Sequence, residues 1–149
     1  MQIFDQLKKD HQDIRQLFAK IEKTSKKQER LDLFEKLNEM LIAHAHAEEK
    51  VFYPALKSKS ATKDEIKHAI DEHHEAERML KTIQKMDDPS KKEWMEAIEK
   101  LRDSVEEHVQ EEEQQIFSHA RQEIADDKLE SMTSEFIEVK QQEMGGSPG

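Results

Sequence analysis

The chain has 149 residues, no cysteine, 39% charged against 34% hydrophobic residues and a net charge of −10. That length fits one domain. The missing cysteines exclude disulfides, thiolate metal sites and cysteine nucleophiles, and the acidic balance disfavours a nucleic-acid backbone as partner. A composition this polar would also suit a disordered chain. However, only 3 glycines and 3 prolines are present, and the apolar residues recur with a helical period, so long helices with charged outer faces are expected.

The first helix is predicted over 2–23, with Phe4, Leu7, Ile14, Phe18 and Ile21 inward. The second follows Ser25, which forms a weak capping pattern with Gln28. It runs to about Lys57 through Phe34, Leu37, Leu41, Val51 and Ala55, and Pro54 bends or ends it. Thr62 and Glu65 form a capping pattern for the third helix, which carries Ile66, Ile70, Leu80 and Ile83. Pro89 breaks the chain, and Ser90 with Glu93 opens a fourth helix with Trp94, Ile98, Leu101, Val105 and Ile116 inward. A shorter fifth helix is predicted from about Ile124 to Lys140, with Leu129, Met132, Phe136 and Val139 on one face. It either covers the bundle or docks on a partner. Residues 144–149 read as a flexible tail.

Short connections between long helices imply antiparallel neighbours, hence an all-α, up-down-up-down four-helix bundle with an additional C-terminal helix. The expected divisions are 1–120 for the bundle, 121–143 for the last helix and 144–149 for the tail. The opening Met1–Lys9 lacks a secretory apolar run, and no apolar run approaches membrane-spanning length, so a cytoplasmic protein without membrane contact is expected.

Two stretches nearly repeat: His44-Ala-His-Ala-Glu48-Glu49 and His108-Val-Gln-Glu-Glu112-Glu113. In each, a histidine and a glutamate four apart share one helical face. Both fall in core register, on stripes 34, 37, 41, 44, 48, 51, 55 and 94, 98, 101, 105, 108, 112, 116. His11 lies on the first helix's stripe and His73 on the third's. The halves repeat: His11 to His73 is 62 residues and His44 to His108 is 64. A buried, unpaired carboxylate costs several kcal/mol. A shared cation resolves that cost, because it needs neutral imidazoles and ionised carboxylates. A lone core histidine is usually satisfied by hydrogen bonds, and a His/Glu pair four apart is often a simple helix pair. The joint pattern points instead to a metal site built from His11, His44, Glu48, His73, His108 and Glu112.

Glu77, four residues after His73, is a further candidate; either it binds metal, or Ala76 faces inward and Glu77 lies at the helix seam. Arg15 holds the matching place on the first helix and cannot bind a metal. His46 shares a polar face with Asp32, Glu35, Glu39 and Glu49, and reads as surface. His68 and His74 also read as exposed, and His119 as a core-edge residue. Trp94 and the methionines read as packing. No Ser-His-Asp set, phosphate loop or cofactor fingerprint is present.

The pattern His11, His44/Glu48, His73, His108/Glu112 resembles the hemerythrin-like family, the HHE cation-binding domain, over about residues 1–120. Asp10-His11-x-x-Ile14-Arg15-x-Leu17, Glu48-Glu49-x-x-Phe52-Tyr53-Pro54 and Glu112-Glu113-x-x-Ile116-Phe117 agree with it. The resemblance implies two iron ions in an oxo- or hydroxo-bridged di-iron centre. Glu48 and Glu112 would each bridge both irons, the four histidines would be terminal ligands, and an open position would take dioxygen, peroxide or nitric oxide. Any turnover would be redox chemistry on peroxide or nitric oxide.

The chain departs from the oxygen-carrying members in two places. Glu77 stands where they have a fifth histidine, and Glu112 lies four residues after His108 where they have an aspartate at five. The more anionic site this implies favours ferric iron, weakens reversible dioxygen carriage and favours autoxidation or reaction with peroxide. The rival expectations are an iron-handling or iron-sensing module acting through a partner protein and a metal-free interaction bundle. The latter would require six buried ionisable residues to be satisfied without a cation. A monomer or a homodimer is expected.

Overall fold

In the computed structural model, which describes residues 1–145, the chain is helical and no strand occurs among the described residues. Helix α1 spans Ile3–Lys23 and α2 spans Lys27–Ala47. A π-helical turn, Glu48–Phe52, leads into the short α3, Pro54–Lys57. Helices α4, Lys63–Gln84, and α5, Lys92–Glu111, form the second hairpin. A second π turn, Glu112–Ile116, joins α5 to α6, Phe117–Glu123, and α7 spans Asp126–Glu143. Pairing of α1 with α2, α4 with α5, α1 with α5 and α2 with α4 closes the up-down-up-down bundle. Among the described residues no helix is long and apolar enough to cross a membrane. Past Gly145, the expected tail lies outside the described residues.

The expected side-chain caps do not form. The residues preceding α2, α4 and α5 are Lys26, Thr62 and Lys91, and none makes a side-chain cap bond. The Thr62 hydroxyl instead donates to the Leu56 carbonyl at 2.6 Å, and Ser90 donates to Asp88 at 2.6 Å. These side chains close the turns instead, a competition that short polar residues often win.

The π turns shift the core register. A π turn holds an extra residue, so side chains beyond it rotate relative to an α-helical stripe. Each turn begins at an expected ligand: Tyr53 N–H donates to the Glu48 carbonyl at 2.8 Å, and Phe117 N–H to the Glu112 carbonyl. Val51 and Ala55, predicted inward, are only half-buried, whereas Phe52, Tyr53 and Leu56 are fully buried. On α5, Val105 is half-buried and Val109 completes the stripe.

The apolar core forms two clusters. One gathers Phe4, Leu7, Phe52, Leu56, Ile66 and Phe117 with Leu129, Met132 and Phe136 of α7. The other gathers Ile14, Phe18, Leu37, Leu41, Leu80 and Trp94 with Ile98 and Leu101. His11, His44, Glu48, His73, His108 and Glu112 form a polar layer between them. Helix α7 starts two residues later than predicted, after an extended Ile124. It packs across α1, α2 and the first π turn, so its apolar face covers the bundle.

Candidate metal centre

Each of the four long helices brings one histidine into the polar layer, because all four occupy core-facing positions. His11, His44 and His73 are buried, and the His108 side chain is 12% exposed. Glu48 and Glu112 have no solvent exposure at all. Ligand-capable atoms within 4.8 Å of one another form two buried triads: His11, His44 and Glu112, and Glu48, His73 and His108. The imidazole Nε2 atoms face the carboxylates: His11 lies 3.2 Å from Glu112, and His44 and His73 lie 3.2 and 3.3 Å from Glu48. His108 stands farther off, 3.9 Å from Glu112.

The Nδ1 atoms are held from outside by a closed ring of carboxylates, one step per helix. Asp10 of α1 accepts from His44 of α2 at 2.8 Å. Glu49, just past α2, accepts from His73 of α4 at 2.8 Å. Glu72 of α4 accepts from His108 of α5 at 2.8 Å. Glu113, just past α5, accepts from His11 of α1 at 2.6 Å. A carboxylate on Nδ1 fixes the tautomer, turns Nε2 inward and raises its basicity. The sequence signal for this ring is an acid beside each ligand: Asp10-His11, Glu48-Glu49, Glu72-His73 and Glu112-Glu113.

Further residues brace the layer. Asp10, fully buried, also accepts from Gln6 at 3.0 Å and from Lys140 of α7 at 2.8 Å. Phe136 of α7 meets the His44 ring edge-on at 5.6 Å. Tyr53 donates its hydroxyl to Glu112 at 2.6 Å and stacks on His73 at 5.5 Å. In the sequence Tyr53 stands out only as part of the stretch Glu48-Glu49-x-x-Phe52-Tyr53-Pro54.

The electrostatics follow from burial opposed by pairing. Burial disfavours charge on His44, but Glu48 and Asp10 outweigh it and raise its pKa to about 10. Burial likewise opposes charge on His73, and Glu48 with Glu49 raises it to about 9. Glu48 is held well below the ordinary carboxylate range, His44 outweighing its burial. Glu112 is pushed up by burial and by the charge of Glu48. Tyr53 is pushed far up by burial and the nearby carboxylates, so its phenol stays protonated.

Among the described residues, five buried side-chain atoms lack any hydrogen-bond partner: Nε2 of His11 and of His108, both Glu48 oxygens and Glu112 Oε1. All five belong to the predicted ligand set. Buried polar atoms are otherwise almost always satisfied. Four imidazoles and two carboxylates match the donor preferences of iron, zinc or manganese, so these residues fit a pair of transition-metal cations.

Glu77 lies outside both triads. Its Oε1 accepts from His46 Nε2 at 2.9 Å, while His46 Nδ1 donates to Glu143 of α7 at 2.6 Å. His46, predicted as surface, is thus half-buried between two acids because α7 lies over it. His119 pairs with Glu65 at 2.6 Å, and His68, 64% exposed, faces Glu72 and Glu111. Above the four imidazoles lies a small cavity of about 40 Å³, walled by Ile14, Leu41, Ala76, Leu80, Val105 and Val109.

Over residues 2–120 the chain matches the hemerythrin HHE cation binding domain family. A protein of Nostoc sp. named DNA nickase is 32% identical over 149 residues, which is 98% of this chain and 42% of that protein. The chain therefore spans less than half of that relative's length. A hemerythrin HHE cation binding domain-containing protein of Mycobacterium kansasii superposes with a TM-score of 0.84, covering 97% of this chain and 88% of that one. At 24% identity, the likeness speaks for the fold.

Proposed function

The chain belongs to the hemerythrin HHE cation-binding family, and on that premise we propose that it holds two iron ions and binds or senses dioxygen, peroxide or nitric oxide. The observation that carries this reading is the set of unpartnered atoms on His11, Glu48, His108 and Glu112. His11 and His44 would serve one metal with Glu112, and His73 and His108 the other with Glu48. When bound, the irons supply redox capacity and Lewis acidity. The chain's own residues do the rest. Asp10, Glu49, Glu72 and Glu113 orient the imidazoles, Tyr53 holds a proton against Glu112, and the apolar walls of the small cavity keep bulk water out. Glu77 stays at the rim of that cavity, engaged with His46.

An iron-sensing role through a partner is a second reading, favoured by one observation. Helix α7 reaches the layer through Lys140 to Asp10 and Phe136 to His44, so occupancy of the layer and docking of α7 are coupled. The name of the Nostoc relative raises DNA cleavage, but a net charge of −10 repels a phosphate backbone. The length the two proteins share is also a minority of that relative.

An iron count with an absorption spectrum of aerobically purified protein tests the proposal. Two irons per chain with oxo-bridged ferric bands are the expected result. Zinc, or a single iron, would overturn the di-iron reading.

A further inference from the structure

A groove of about 280 Å³ runs between α1 and α5 and reaches His11. It shares His11, Ile14, Val105 and Val109 with the small cavity over the imidazoles, so these side chains are the partition between the groove and that cavity. Ile14 and Val109 are buried, but Val105 is only half-buried. The partition is thinnest there.

The route follows from how the bundle closes. Short turns join α1 to α2 and α4 to α5, and the first π turn with α3 joins α2 to α4, but no connection joins α1 to α5. The α2–α4 seam is latched by His46, gripped by Glu77 and by Glu143 of the overlying α7. The α1–α5 seam is spanned by Arg15, which donates twice to Glu106 at 2.9 and 2.7 Å, and by Arg102, which pairs with Glu22. These pairs flank a floor of Ile14, Phe18, Ala19, Val105 and Val109. Each arginine faces a carboxylate, so the groove offers no free cation to an anion. Its apolar floor suits a small uncharged molecule.

We propose that small uncharged ligands such as dioxygen or nitric oxide reach the metal layer through the α1–α5 groove, with Val105 and Ile14 as its constriction. The destination rests on the di-iron reading; the path does not. Two measurements keep them apart.

Crystals of the protein as purified, pressurised with xenon, are expected to hold a xenon atom between Ile14 and Val105 and to lose it in Val105→Phe. No xenon in the groove would overturn the path whatever the metal. The second measurement is stopped-flow binding of nitric oxide to ferrous-loaded protein. Val105→Ala is expected to raise both the association and the dissociation rate by about tenfold, because a constriction is crossed on the way in and on the way out. Val105→Phe should lower both; if it fails to fold, Val105→Ala alone carries the test. Rates unmoved in Val105→Ala, with slowing in Ala76→Phe on the opposite wall, would overturn the proposal. Xenon in the groove with no nitric oxide binding would sink the di-iron reading and leave the path standing.

Discussion

Asp10 stands one residue before His11 but serves His44 on the neighbouring helix. The same crossing relates Glu72, beside His73, to His108. The inward placement of the six candidate residues was legible because the 3.6 period alone decides which face of a helix points inward. The outer carboxylates were visible only as acidic neighbours. Their roles depend on which helix lies alongside, and that is a property of the tertiary fold. Asp10→Asn removes a charged acceptor from Nδ1 of His44 and leaves Lys140 without its partner. A loss of about 10- to 100-fold in metal affinity is expected, in line with such outer contacts elsewhere, measured by competition with a chelator. Asp13→Asn, in an exposed pair with Lys9, should leave affinity unchanged. The raised imidazoles make a second expectation. In metal-free protein His44 and His73, with pKa values of about 10 and 9, carry protons at neutral pH. Glu48, held low, carries none. Metals need the neutral ring, so loading at pH near 7 should release one proton from each of these two histidines, read with an indicator dye in weak buffer. Loading without proton release would mean that the rings were already neutral.

At the scale of the element, the π turns explain why the inward stripe of α2 follows the helical period as far as Glu48 and is one residue out of step after it. Up to Glu48 the steps of three and four hold. Beyond it Val51 and Phe52 are both apolar, and so are Ala55 and Leu56, so composition gave no sign of the shift. The inserted residue rotates Phe52, Tyr53 and Leu56 into the core and brings the Tyr53 hydroxyl onto Glu112. It also leaves Glu49 free to reach His73. Glu113 reaches His11 in the same way from within the second turn, so the repeat in sequence is a repeat in geometry. Lys50 sits in the first turn with an exposed side chain. Lys50→Ala should alter stability by no more than about 0.5 kcal/mol, as surface changes do. Deleting Lys50 would close the turn into α-helix and set Phe52 and Leu56 at the inward positions 51 and 55, so the core side chains stay in place. Inserting one alanine after Lys50 would instead turn them by about a further 100°, off the core. A loss well beyond about 3 kcal/mol is expected for the insertion, the cost of emptying a single such core position, with loss of metal as well. Urea unfolding of the variants makes the comparison. An insertion as mild as Lys50→Ala would mean that the π turn has no role in setting the register.

At the scale of the whole molecule, the polar layer divides an otherwise apolar interior into two clusters. Each cluster is packed chiefly from its own apolar side chains, the first meeting the layer through Phe136 and Tyr53, and α7 ties the first of them to α1 and α2. Metal loss should therefore weaken the junction without dissolving the helices. Without cations, Glu48 and Glu112 face each other in a dry interior, where unpaired charge is costly. The histidines relieve that only by holding protons. Each metal kept at 100 times its Kd adds about 2.7 kcal/mol to the folded state. The two proposed metals would therefore contribute about 5 kcal/mol, and a chain of this size shifts by about 2–4 °C per kcal/mol. Chelation should then lower the melting midpoint by about 10–20 °C while the far-ultraviolet helical signal below the transition stays near its original strength. Hydrogen exchange would locate the change, with amides around His11, His44, His73 and His108 opening more readily and those around Leu37, Ile98 and Phe117 holding. Uniform loosening of both clusters would mean that the metal layer nucleates the whole bundle. An unmoved midpoint would mean that the six ionisable groups satisfy one another without a cation, and the metal-free bundle would then be the better account of the molecule.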